Sequence, residues 1–495
     1  MKTIQPKVFA SVVLVLLVGV TLPSCKKKEG CTDPTSLNYD PDAEENDGSC
    51  LYSDAADNST QYDETVNGNE TIVTVTDQGE GSGTMTWTND KTWVLNGLVF
   101  VNSGQTLTIE AGTVIKGKSG QGENASALVV ARGANIIANG TSANPIIFTA
   151  EADNLTGNIP TSARGLWGGL IVLGNAQLNS TPGESAIEGI PTTEARGLYG
   201  GTDDSDNSGS LRYISIRHGG TDIGAGNEIN GLTLGGVGSG TTIEYIEVIS
   251  NADDGVEFFG GTASTKHICV AFCADDAFDY DEGYRGRNQF WVVVAEPSEG
   301  DRGGEHDGGT NPEDGMPYAT PVVYNATYVG RGIAEGKRAI TFRDNAGGEY
   351  HNSVFVNWGK GIDIEKLASG EDSYNRFTNN QLQLSGNVFH ECVLSGTSAS
   401  AADLFKVEGG DATQQAAFET SFATNGNSVA DPGVSTTIST SGGLDLIPTN
   451  TAAVSNATPA TDSWFDQVTY KGAFDPAGSD WLMGWTNISG LGYIQ

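Results

Sequence analysis

Carboxylates dominate the residues of this chain that could do chemistry, and their spacing repeats. Asp253-Asp254-Gly255-Val256-Glu257-Phe258-Phe259-Gly260-Gly261 recurs as Asp275-Asp276-Ala277-Phe278-Asp279-Tyr280-Asp281-Glu282-Gly283, an offset of 22 residues (275 − 253 = 22). A looser copy carries Arg302, Glu305, His306 and Asp307. Ala339-Ile340-Thr341-Phe342 and Gly361-Ile362-Asp363-Ile364 form another pair at the same offset. Carboxylate oxygens are hard ligands that suit Ca²⁺. They are also the groups that carry acid–base work on glycosidic bonds.

The offset says which elements must position these groups. A period near 22 with several short strands per unit fits one coil of a parallel β-helix, whereas propeller blades repeat at about 40–50 residues. Alternation along each strand puts Val256 and Phe258 inward and Glu257 and Phe259 outward. The first outward column then holds Glu257, Asp279, Glu305, Thr341 and Asp363. The second holds Phe259, Asp281, Asp307, Arg343 and Glu365. Members of a column stack about 4.8 Å apart, where like carboxylates repel unless a cation, a shared proton or an arginine lies between them. Arg285, Arg302, Arg338 and Arg343 are available. The expected Ca²⁺ ligands are Asp253, Asp275, Glu257, Asp279 and Asp281, with Glu305, Asp307 and Arg343 as ligand-binding candidates. The competing expectation is a solvated acidic face whose turn aspartates only bond their own backbone.

Short aliphatic runs such as Leu98–Val101, Leu107–Ile109, Leu128–Val130 and Leu170–Leu173 alternate with turn residues, and no helical apolar period appears. The fold class is all-β: a right-handed parallel β-helix with an N-terminal tether and a C-terminal cap. The expected divisions are a signal peptide over 1–24, an acidic module over 25–50, a tether over 51–85, the β-helix over 86–445 and the cap over 446–495. The tether is expected to end in one strand, Ile72–Thr76. Insertions such as Glu296–Pro321 are expected to add loops or coils. Trp464, Trp481 and Trp485 are assigned to the cap, since a solenoid must close its ends.

The chain has 495 residues and a net charge of −36, from 62 acids and 26 bases. That field repels nucleic acid and attracts divalent cations. At the N-terminus, Lys2 and Lys7 precede a run of about 15 mostly apolar residues, too short to span a bilayer. It ends in Leu22-Pro23-Ser24-Cys25, which resembles the lipobox of bacterial lipoproteins and implies acylation of Cys25. The expected location is the outer membrane, lipid-anchored and surface-exposed, although Lys26-Lys27-Lys28 beside the anchor leaves a periplasmic orientation open. Cys31 and Cys50 bracket a short polar segment and read as one disulfide. Asp40, Asp42 and Asp47 within it offer a second set of Ca²⁺ ligands. Cys269 and Cys273 read as buried small apolar residues.

Residues 31–50 resemble the acidic Cys modules of Bacteroidota surface proteins, which are similar to thrombospondin type 3 repeats. Leu107–Gly117, Asp275–Trp291, Tyr470–Pro476 and Trp481–Trp485 resemble a Bacteroidota-type family of β-helix cell-surface lipoproteins of unestablished activity. The resemblance spans roughly residues 90–495 and implies fold and location. It assigns no catalytic residue. Polygalacturonases and pectate lyases share the scaffold, but the Asn-Thr-Asp, Gly-His-Gly and Arg-Ile-Lys signatures of the former are absent. A lyase would need a Ca²⁺ clamp and an Arg or Lys base. The five histidines show no metal-ligand spacing, and His306 falls at an inward position. The reading is a non-catalytic envelope protein that displays a Ca²⁺-binding acidic surface for adhesion, to a polysaccharide or another envelope protein. The alternative is a polysaccharide lyase or glycoside hydrolase on the same scaffold.

Overall fold

The computed structural model describes residues 27–30, 32, 39–46, 59–224 and 227–494. Cys25, Cys31, Cys50, Asp47 and residues 1–24, expected to be a signal peptide, lie outside the described residues. The chain divides into two units, Met1–Asp57 and Asn58–Gln495. In the first, Glu29–Gly30 pairs in parallel with Glu45–Asn46. The Lys28 ammonium lies 2.8 Å from Asp40 and 3.7 Å from Asp42. Its hydrogen bond holds the Asp40 carboxyl below the usual range.

The second unit is a right-handed parallel β-helix. It begins earlier than expected, inside the stretch assigned to a tether. Gln61–Asn67 and Glu70–Thr76 form an antiparallel hairpin. Gly68, at φ +64°, supplies the left-handed turn residue such a tight hairpin requires. Glu70–Thr76 then pairs with Thr92–Leu95, and Met85–Trp87 with Thr106–Ile109. Gln61–Asn67 is exposed along nearly its whole length. A strand with no buried face leaves no apolar alternation to read.

One parallel sheet carries the acidic columns. From the N-terminal end its strands are Leu98–Val101, Ala127–Val130, Leu170–Leu173, Leu232–Gly235, Val256–Phe259, Phe278–Asp281, Gly304–Asp307, Arg338–Arg343, Lys360–Glu365 and Phe405–Glu408. Inward side chains such as Phe258, Phe278, Tyr280 and Phe342 are almost fully buried. Phe278 stacks on Trp291 with ring centroids 4.0 Å apart. Burying each such ring contributes roughly 1.5–3 kcal/mol. The register is the expected one: Glu257 faces Asp279, Asp279 faces Glu305, Glu305 faces Thr341 and Thr341 faces Asp363. Residues 296–321 supply one rung of this sheet, Gly304–Asp307, which pairs with Phe278–Tyr280 on one side and Ile340–Arg343 on the other, and loops on either side of it.

The other faces are built from longer strands, including Gly209–Arg217, Thr242–Ile249, Ser264–Ala271 and Arg287–Val294. Each kinks at a residue with positive φ: Tyr213, Tyr245, His267 and Phe290. Aromatic residues rarely adopt that conformation. Here their rings stack in a column, with successive centroids 4.4, 4.3 and 4.7 Å apart. Trp481 and Trp485 meet the column edge-on.

Those tryptophans correct the expected cap. The C-terminal residues run back along the side of the β-helix. Leu444, Val454, Phe474, Leu482 and Ile488 pack on outward Ile249, Cys269, Val292, Val294 and Val354. Runs such as Trp291-Val292-Val293-Val294 are apolar on both faces, so the outward face also needs a cover. Trp464 lies beneath Lys266 and Arg287. The C-terminal end of the core is covered by the helix Ala412–Thr424. Its Phe418 and Phe422, four residues apart, pack against Phe405 and Phe389. Asp411 and Gln414 form its capping box. Cys269, Cys273 and Cys392 are buried and unpaired. Among the described residues no helix is long and apolar enough to cross a membrane.

Candidate metal centre and charge ladder

An insertion between Leu173 and Gly209 roofs the first part of the acidic sheet. Its short pair Ser185–Ala186 and Leu198–Tyr199 sets Leu178, Ile187, Ile190 and Tyr199 over outward Val129, Ile171, Leu173 and Phe259. Gly235 occupies the column position of Phe259 because Tyr199 leaves no room. A Cβ there would lie 2.9 Å from the ring. Phe259 therefore points outward, as expected, but is buried. The edge of the roof falls at the carboxylates.

Glu257 and Asp254 are each only 7% exposed. Oxygens of Asp254, Glu257 and Asp279 all lie within 4.8 Å of one another. Burial holds the three carboxyls well above their usual range, and the neighbouring carboxylates add to the shift. Among the described residues none of the three forms an ion pair. The Asn230 amide donates to Glu257 Oε2. Asn230 is 2% exposed, and its own Oδ1 has no hydrogen-bond partner. Asp279 Oδ1 is likewise sealed from solvent and unpartnered. Buried acceptors of this kind cost free energy unless something donates to or ligates them.

The second aspartate of each turn bonds across coils, whereas Asp253 accepts from the Asp254 N–H of its own turn. Asp254 Oδ1 accepts from the Asp276 N–H, 2.9 Å away, and Asp276 Oδ1 accepts from the Arg302 N–H. Asp253 reaches oxygen-to-oxygen distance of Asp254 and Asp275. Burial, with Glu188 and Glu228 nearby, pushes its carboxyl to about 7. Asp275 is exposed and adjoins Asp276 and Asp301. Asp281 is not among the three converging carboxylates. It accepts from the Glu282 N–H and the Thr310 hydroxyl, and burial pushes it to about 7.

Below Asp279 the face changes character. Arg302 reaches Asp276, Asp301 and Glu305, at 3.2, 2.7 and 2.8 Å. Arg343 lies 3.0 Å from Glu305 and makes a bidentate pair with Asp307, at 2.8 and 3.0 Å. Arg338 bridges Asp363 and Glu408. A groove of about 340 Å³ runs along this ladder. His306 is a core residue. It stacks on Tyr280 at 4.1 Å and bonds the Tyr350 hydroxyl, and burial lowers its pKa to about 3.

Of the expected ligands, the structure brings Glu257 and Asp279 together. It sets Asp253 and Asp275 at one rim and Asp281 apart, and it assigns Glu305, Asp307 and Arg343 to the ladder. Sequence reasoning missed Asn230 and passed over Asp254 in favour of Asp253. One signal could have found Asn230. Asn230-Gly231-Leu232 is a further copy of Asp254-Gly255-Val256, and Leu232 does pair with Val256. Thr233 in place of an acid hides the match.

The chain belongs to the pectate-lyase-like β-helix domain family, whose family model matches residues 79–438. Comparison with curated proteins and with solved structures found no match.

Proposed function

We propose that this protein is a non-catalytic β-helix of the cell envelope, lipid-anchored at Cys25 in the outer membrane and facing outward. It carries Ca²⁺ on Asp254, Glu257, Asp279 and Asn230, and it presents the adjoining charge ladder to a polysaccharide or to another envelope protein. One observation carries the metal reading: three buried carboxylates converge with no basic residue, beside two orphaned buried oxygens. Ca²⁺ would supply the missing positive charge and occupy those acceptors.

The arginines support the non-catalytic reading. A lyase base must give up a proton. Hydrogen bonds to Asp307 raise the Arg343 pKa further, and Asp276 and Glu305 do the same at Arg302. Both are tied into ion pairs and poised to keep their protons. The alternative, a lyase or hydrolase, is favoured by one feature. Asp253 and Asp281 are carboxyls pushed to about 7, as a general acid requires.

Two measurements test the reading. Calorimetry with CaCl₂ should show a site that Asp279→Asn removes. Incubation with acidic and neutral polysaccharides should yield neither unsaturated products nor new reducing ends. Turnover abolished by Asp279→Asn would establish the enzyme reading instead. Protease shaving of intact cells tests the orientation. A chain that survives until the outer membrane is broken faces the periplasm.

A further inference from the structure

The C-terminal segment leaves a second groove, about 340 Å³, where it crosses the strands Val322–Tyr324, Gly348–His351 and Leu382–Ser385. The groove shares no residue with the acidic cluster or the ladder. Its walls include Tyr324, His351, Asn352, Ser385, Asn456 and Lys471, and no Asp or Glu lines it. In a chain with 62 acids and 26 bases, a groove whose sole charge is a lysine is unexpected.

The walls are fixed in place. The Lys471 N–H donates to the Val454 carbonyl and the Gly472 N–H to the Asn352 carbonyl, both at 2.8 Å. The Asn352 amide donates to the Thr458 carbonyl, also at 2.8 Å. The His351 ring bonds Ser385 on one side and Glu349 on the other. It lies against Tyr324, with centroids 4.5 Å apart. The Asn352 and Asn456 amides and the Ser385 hydroxyl each keep further hydrogen-bonding capacity beyond these partners, and the Lys471 ammonium is wholly unused among the described residues. It is partly buried, and among the described residues it has no carboxylate partner. Burial lowers its pKa with no acid opposing the shift. Placing an ammonium there does not stabilise the fold, because partial desolvation costs free energy that no ion pair returns.

We propose that this groove binds a sugar acid. Lys471 pairs with the carboxylate, the amides and hydroxyls of Asn352, Asn456 and Ser385 meet the sugar hydroxyls, and the Tyr324–His351 pair offers a ring face. The volume suits a small ligand. A single cation with no arginine fork matches one carboxylate better than a dianion such as sulfate.

The test titrates the full-length protein with glucuronate, glucose and sulfate at millimolar concentrations, followed by calorimetry and ligand-observed NMR. Glucuronate should bind, glucose should bind at least about tenfold more weakly, and sulfate should not compete. Lys471→Met keeps the side-chain stem and should weaken glucuronate by about tenfold or more, the usual worth of a charge-assisted hydrogen bond. Asn456→Asp adds a carboxylate on an exposed turn and should do the same without moving the melting temperature. The proposal is overturned if glucuronate does not bind, if glucose binds equally, if sulfate competes equally, or if both variants bind glucuronate like the parent.

Discussion

Asp279 is the residue on which the metal reading can be made quantitative. It stands in register between Glu257 and Glu305, and its oxygens lie within 4.8 Å of those of Asp254 and Glu257. Two unit charges that far apart repel by about 3.5 kcal/mol at an effective dielectric of about 20. Asp279→Asn deletes two of the three repulsive pairs, a ceiling of about 7 kcal/mol if all three were ionised. Burial favours the protonated form of each carboxyl without metal, so the relief expected is smaller, roughly 1–3 kcal/mol. Binding Ca²⁺ to the native state alone adds about 2.7 kcal/mol at a hundredfold excess over Kd. The assay is thermal melting of the 58–495 unit in chelator, in CaCl₂ and in NaCl of equal ionic strength. CaCl₂ should raise the parent's Tm by a few degrees. Asp279→Asn should raise the metal-free Tm and lose most of the Ca²⁺ increment. If matched NaCl shifts the melt as much as CaCl₂, screening explains the effect and the site does not exist. If Asp279→Asn lowers the metal-free Tm and keeps the increment, the repulsion argument fails.

Stability without metal should also depend on pH. Asp253 and Asp281 are pushed up to about 7, so the stability they contribute is complete below about pH 4 and is lost as pH rises through 7. Metal-free melts should therefore fall between pH 5 and pH 8, and Ca²⁺ should flatten that slope. Arg343→Gln removes the bidentate partner of Asp307 and one of the two partners of Glu305. It should cost about 1–2 kcal/mol, discounted because Arg343 is partly exposed. It should also enlarge the Ca²⁺ increment, since Asp307 loses its arginine and Glu305 keeps only Arg302. Trp485→Ala uncovers Tyr213 and Tyr245 and should cost roughly 3–5 kcal/mol. Limited proteolysis should then cut the C-terminal segment before the β-helix. Labelled palmitate should enter the parent chain, and Cys25→Ser should abolish the labelling.

The acidic columns were legible because the β-helix repeats its register and a repeat needs only the chain to be seen. The Val256–Phe278 and Ile340–Ile362 pairings follow directly from the offset of 22. What covers those columns was not legible. The roof over Phe259 comes from an insertion with no periodicity, and only Gly235 under Tyr199 marks the close approach. The hairpin Gln61–Asn67 is polar on both faces and escaped notice for that reason. The C-terminal tryptophans were read as an end cap because tryptophan near a terminus suggests closure. Their partners are an aromatic column at kinked positions, Tyr213, Tyr245 and His267, whose backbone conformation no local sequence signal announces.

The charge pattern joins the two halves of the acidic face. From Glu305 to Asp363 the first outward column is matched from within the chain, by Arg302, Arg338 and Arg343 at coil-to-coil spacing, whereas Glu365 in the second column meets Glu313 and Asp344. In the two preceding coils, at Glu257 and Asp279, no basic residue is set among the carboxylates, and the roof excludes much of the water that would otherwise screen them. A stack that only needed to tolerate its charge could have repeated the arginine solution. A stack that only faced solvent would not bury Glu257 under an insertion. Leaving three carboxylates uncompensated beside an unpartnered Asn230 oxygen is stable only if protons or a cation from outside complete the site. Protons are lost from such a cluster as pH rises, whereas a divalent ion is bound more tightly. The carboxylates that lack an arginine, Asp254, Glu257 and Asp279, are therefore the ones whose order should depend on the medium, and the arginine-matched Glu305, Asp307 and Asp363 should not.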